Sequence, residues 1–145
     1  MNSVAFIIAL IALPLLAVDV LPYISWRLRR GRFRARPGRS FDNWFGEFYQ
    51  DKQCDKEMIR GLYGAIGKDI GVDATQIYPS DRFEVELRCP EWWGPRGSEL
   101  EGTEVWMEEF LKPYRESIPG GASTSKTVGQ LVSELEAIIS KANML

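Results

Sequence analysis

The chain has 145 residues, 18 Lys and Arg, 20 Asp and Glu and no histidine, for a formal net charge of −2. That length accommodates one membrane anchor and one domain of about 100 residues. The missing imidazole removes His-based general acid–base catalysis, His-activated nucleophiles and His-containing metal sites. Only Cys54 and Cys89 are present, without a CxxC spacing, so a thiolate metal site is not expected, and in the cytoplasm both are reduced thiols.

The charge is unevenly spread. Residues 1–39 carry seven arginines and one aspartate, a net of +6, and residues 40–145 a net of −8. An acidic domain of this kind does not bind nucleic acid by counterion release. Its expected partners are basic surfaces.

The run Val4–Ile24 is apolar except for Asp19. As a helix it matches the roughly 20 residues that cross a hydrocarbon core. Arginines follow at 27, 29, 30, 32, 34, 36 and 39, while only Met1–Ser3 precede the run. Basic flanks stay on the cytoplasmic side, which sets the N-terminus outside and the C-terminus inside. Tyr23 and Trp26 fall where an interfacial aromatic belt lies. A signal peptide has the opposite charge order and a small-residue cleavage site. A buried core helix rarely carries so one-sided a block of arginine. Pro14 and Pro22 are tolerated in a spanning helix, and Asp19 is close enough to the cytoplasmic end to be solvated.

Residues 1–26 therefore read as a single-pass anchor in the cell (inner) membrane, and 27–39 as a basic juxtamembrane linker broken by Gly31, Pro37 and Gly38. Residues 40–145 read as a cytoplasmic domain. Arg27, Arg29, Arg30 and Arg32 are the expected membrane-flanking side chains, with the lipid bilayer as partner.

Phe41, Trp44, Phe45, Phe48 and Tyr49 lie on one helical face, with Ser40 as a candidate cap. The acidic residues 42, 47 and 51 favour packing of this helix on the domain over a place at the membrane surface. A second stripe of Met58, Ile59, Leu62, Tyr63, Ile66 and Ile70 predicts a helix from Asp55 that stops at Gly71. Gly61, Gly64 and Gly67 weaken it by about 1 kcal/mol each relative to alanine. Ile77 and Phe83 are expected core plugs within the loop that follows. RFEVELR is the one short stretch with strand-like alternation.

CPEWWGPRG at 89–97 reads as a loop. A helix is predicted from Leu100 to Lys112, with Leu100, Thr103, Met107, Phe110 and Leu111 inward and Glu101, Glu104 and Glu108 outward. Pro113 ends or kinks it. SIPGGASTSK is a further loop. Thr127 and Gln130 make a capping box for a last helix carrying Val128, Leu131, Val132, Leu135, Ile138 and Ile139. The fold class is all-α, a small helical bundle behind the anchor.

With these elements in order, residues 55–141 resemble an acyl carrier protein. The first helix ends in DIGVDATQI, similar to the family's "lgvd…I". IYPSDRFEVEL resembles the stretch before the family's "DLG", LEGTEVWMEEF its second helix, SIPGG its "IP", and KTVGQLVSELEAII its "TVGDLVxxI". The resemblance implies a small helical bundle recognised on its second helix. In the family a D-S-L serine at the start of that helix carries 4′-phosphopantetheine. Here the aligned position is Glu99, and Ser98 lies one residue, or about 100° of helix, away. The connection before it is about eight residues longer than the family's.

A glutamate cannot be phosphopantetheinylated, so no cofactor is expected, and Ser98 reads as an N-cap. The chain resembles acyl-carrier-like members that lack the attachment serine. The expected role is a non-enzymatic, membrane-tethered module that docks a basic partner protein through Glu101, Glu104, Glu108 and Glu109. The alternatives are a genuine carrier modified at Ser98, or a structural subunit of a membrane complex. For Trp92 and Trp93 two readings stand: a partner or membrane contact, or a filling of the acyl cavity.

Overall fold

The computed structural model describes residues 24, 26–50, 52, 54–87, 100–118 and 125–144. Regular structure among them is helical: α1 over residues 26–34, α2 Phe41–Tyr49, α3 Lys56–Ile70, α4 Glu101–Leu111 and α5 Val128–Ala142. A short 3-10 turn, Ala74–Gln76, follows α3, and another, Lys112–Ser117, extends α4.

The central helix is α3. Its start is capped by Asp55, whose carboxylate accepts the Glu57 and Met58 N–H groups. Met58, Ile59, Leu62, Tyr63, Ile66 and Ile70 are all buried, as their spacing requires. Each such apolar side chain contributes roughly 1.5–3 kcal/mol on burial. Gly71 ends the helix at φ 69°, a conformation that glycine adopts without steric cost.

Two helices bury their faces against this core. From α2 come Trp44 and Tyr49, fully enclosed, and the half-buried Phe41, Phe45 and Phe48. The Trp44 ring meets Tyr63 edge-on with centroids 4.5 Å apart, and its Nε1 donates to the Ile77 carbonyl at 3.1 Å. Ion pairs of Asp42 with Lys56 and Arg60, and of Glu47 with Arg39, lie on its outer side. The aromatic helix thus packs on the domain. From α5 come Val128, Leu131, Val132 and Leu135, while Ile138 and Ile139 are only half-buried. The Thr127–Gln130 capping box is present.

Residues 82–87 of RFEVELR, the ones the structure describes, are not a strand. Arg82 makes one antiparallel bridge with Thr127, and residues 83–86 are turns held by Glu86, whose carboxylate accepts the Arg82 N–H at 2.8 Å. Leu87 is buried and Val85 exposed. A local side-chain bond competing with the ladder explains the difference.

Of the three residues expected to break regular structure over 27–39, Gly31 does not. Gly31 lies inside α1, and irregular backbone begins only after Arg34, ahead of Pro37 and Gly38. Tertiary contact outweighs the weak propensity of one glycine. Phe33 is buried, and Arg36 spans the junction to the domain. It donates to both Asp81 oxygens, at 2.5 and 2.7 Å, and to the Gln76 carbonyl at 2.6 Å, between the faces of Phe33 and Tyr78.

The run Val4–Ile24 lies outside the described residues apart from Ile24 itself, and no helix among the described residues is long and apolar enough to cross a membrane. Cys89, Trp92, Trp93, Ser98 and Glu99 also lie outside them.

Candidate functional site

The outward face of α4 is the candidate site. The helix is held by its opposite side at two points on α3. At its start, Leu100 occupies the N-cap position without a side-chain cap. Asp69 of α3 supplies one instead: its Oδ2 accepts both the N–H and the hydroxyl of Thr103, each at 2.7 Å. A carboxylate here also meets the positive end of the helix dipole. Thr103 is 2% exposed. Gly102 makes room for this cap, since a Cβ there would lie 2.4 Å from Asp69 Oδ1.

About one turn further on, the Trp106 indole packs against Gly61 of α3. A Cβ at Gly61 would sit 2.6 Å from the ring. Phe110 stacks on Trp106 at 5.0 Å between centroids, and Tyr114 follows. Leu100, Met107, Phe110 and Leu111 are half-buried against the core. Pro113 stands at the head of the 3-10 turn that continues α4, so the chain tightens here rather than stopping.

Glu101, Glu104, Glu108 and Glu109 are all exposed. At about 100° per residue they surround Val105, which is 56% exposed. Glu109 pairs with Lys112 at 2.5 Å and Glu108 reaches Arg115 at 3.9 Å. Glu101 and Glu104 have no ion-pair partner among the described residues. The face therefore presents two uncompensated carboxylates beside an apolar side chain, on a rigidly mounted helix. Such an arrangement can recognise Lys or Arg on another protein by charge and one apolar contact.

The other expected site residues divide. Of the membrane-flanking arginines, Arg27 and Arg32 are exposed. Arg29 instead donates to the Val85 carbonyl at 3.0 Å, and Arg30 twice to the Gly71 carbonyl, at 3.0 and 2.7 Å. Those two belong to the domain because α1 docks on it.

A polar group lies inside the bundle. The Tyr49 and Tyr63 hydroxyls are 2.7 Å apart. Burial pushes Tyr49 up to about 12 and Tyr63 further upward. Burial, with a hydrogen bond to Glu136, raises the Cys54 thiol to about 12, which keeps it protonated and unreactive. Among the described residues no three His, Cys, Asp or Glu side chains are grouped to hold a metal ion.

Sequence reasoning passed over Val105, Trp106 and Asp69. The pattern E-x-x-E-V-x-x-E-E already encloses the valine in a carboxylate ring. Asp69 had a signal too, an acidic residue in the last turn of a helix, against the dipole. Comparison with protein-family models, curated proteins and solved structures finds no match for this chain.

Proposed function

We propose that this chain is a membrane-tethered module of acyl-carrier-like architecture that carries no prosthetic group and docks a partner protein with a basic surface. The tether is the run Val4–Ile24, in the cell (inner) membrane with the domain on the cytoplasmic side. The observation that carries the reading is the outer face of α4, where Glu101 and Glu104 stand unpaired beside exposed Val105. Trp106 over Gly61 supports the non-carrying part, because an indole occupies the α3–α4 contact where an acyl chain would need space. Glu99 at the aligned attachment position supports it from the sequence.

The test is carbodiimide cross-linking of the full chain in membranes, followed by mass spectrometry. Cross-links from Glu101 or Glu104 to lysines of one stoichiometric partner are expected, lost in the Glu101→Lys/Glu104→Lys double variant with the unfolding midpoint unchanged. Retention of the partner in that variant would defeat the docking face. Intact mass after co-expression with a phosphopantetheinyl transferase tests the other half. A phosphopantetheinyl adduct abolished by Ser98→Ala would make the chain a carrier.

A further inference from the structure

Helix α1 has two sides. On one, Phe33 is 4% exposed and Arg29 and Arg30 grip carbonyls of the domain. On the other, Ile24, Leu28, Gly31 and Ala35 fall within an arc of about 60° at helical spacing. Ile24 is 45% and Leu28 65% exposed, and the four residues line an open apolar groove with Arg27 and Arg32 at its rim. The seven arginines divide in the same way. Arg29, Arg30, Arg36 and Arg39 are committed to the domain. Arg27, Arg32 and Arg34 are exposed and have no ion-pair partner among the described residues. By helical position Arg27 and Arg34 edge the apolar stripe on one side and Arg32 on the other.

We propose that this outer face of α1 lies on an anionic lipid surface, with Ile24 and Leu28 below the headgroups and Arg27, Arg32 and Arg34 on the phosphates. The proposal rests on the tethered reading above. An apolar stripe edged on both sides by arginine is the form of a helix lying in a bilayer interface, where long basic side chains reach back to the headgroups. The stripe also begins at Ile24, the residue at which the apolar run 4–24 ends. An acidic protein partner would satisfy the charges, but it would not account for an apolar stripe that begins where that run ends in the sequence. Because the opposite side of the same helix is fastened to the domain, the contact orients the domain on the membrane. A flexible linker would only keep it nearby.

The experiment places p-benzoylphenylalanine at position 28 of the full chain, in vesicles of phosphatidylcholine with or without phosphatidylserine, and reads photo-adducts by mass. Position 140, exposed on α5, is the control. Phospholipid adducts at 28 and not at 140 are expected with phosphatidylserine present. Their yield should fall several-fold in phosphatidylcholine alone and in the Arg27→Gln/Arg32→Gln/Arg34→Gln variant. A helical far-ultraviolet spectrum and flotation with vesicles are required of every sample. Flotation without lipid adducts at 28 overturns this inference and leaves the tether standing. A chain–chain adduct at 28 overturns it in favour of a second copy on this face. Equal yields in neutral and anionic vesicles overturn the role of the three arginines. Failure of the wild-type chain to float overturns the tether and this inference together.

Discussion

The carboxylate of Asp69, in the last turn of α3, caps α4 through Thr103, taking the backbone N–H and the side-chain hydroxyl on one oxygen. The candidate docking helix is therefore positioned by a neighbouring helix and not by its own N-cap. Asp69→Ala removes the cap and leaves a buried hydroxyl unsatisfied. The expected cost is about 2–3 kcal/mol, from roughly 1 for a cap and 1–2 for the stranded group. Urea midpoints measure it. Asp69→Asn keeps an acceptor and should recover part of the loss, and no difference between the two variants would refute the cap.

Arg36 and Asp81 tie α1 to the loop that lies against the start of α5. The Asp81 side chain is 4% exposed and also accepts the Tyr78 N–H at 2.7 Å, and the Asp81 carbonyl accepts the Val128 N–H at 3.1 Å. Arg36→Ala strands a buried carboxylate, which costs about 3 kcal/mol. It should also release α1, so hydrogen exchange over residues 26–36 is expected to rise far more than over α3. Uniform acceleration across both would mean that the pair only stabilises the whole domain.

The three glycines of α3 are expected to respond differently. Alanine is the better helix former by about 1 kcal/mol, and at Gly64 nothing lies within 4 Å of a new Cβ. Gly64→Ala should therefore stabilise by roughly 0.5–1 kcal/mol. Gly61→Ala drives a methyl into the Trp106 ring and should destabilise by about 1–3 kcal/mol despite its propensity gain. At Gly67 the obstacle is backbone, the Val72 carbonyl oxygen at 2.8 Å, so the chain itself would have to move. Thermal midpoints of the first two variants changing in the same direction would contradict the close packing of α3 and α4.

How far the sequence was legible depended on the range of the interactions. The stripes of α2, α3 and α5 and the Thr127–Gln130 box are local, with period and cap within one segment, and they appear where expected. The turns at 83–86 hang on a side-chain bond between Arg82 and Glu86 that alternation does not reveal, and the docking of α1 depends on partners tens of residues away. Arg36 meets Asp81 across 45 positions and Arg29 meets Val85 across 56. No periodicity announces such pairs, so from the sequence Arg29 and Arg30 read as membrane-flanking alongside Arg27 and Arg32. The candidate docking face was half legible. The glutamates were visible as a helix face, but their rigid mounting through Asp69, Gly61 and Gly102 was not, because it is made between helices.

The Tyr49–Tyr63 pair gives the fold an alkaline limit. Both rings are buried, at 1% and 0% exposure, and the hydroxyls bond only to each other at 2.7 Å among the described contacts. Burial disfavours the phenolate, so Tyr49 titrates near 12 in the folded state and near 10 when unfolded. A raised pKa means that the folded state holds the proton more tightly. The stability this provides is complete below pH 10 and disappears as pH rises from about 10 toward 12. Each tyrosine should steepen the loss by about 1.4 kcal/mol per pH unit in that window. Cys54, also near 12 when folded, starts the decline from about pH 9. Tyr63→Phe is expected to remove one tyrosine's share of the alkaline slope. At neutral pH it should cost about 1–3 kcal/mol by stranding the Tyr49 hydroxyl. The Tyr49→Phe/Tyr63→Phe pair strands nothing, so it should cost less than the two single changes added together. Guanidinium unfolding of the four proteins between pH 7 and 12 measures both effects. Equal alkaline slopes in the wild type and the double variant would show that neither tyrosine sets the limit.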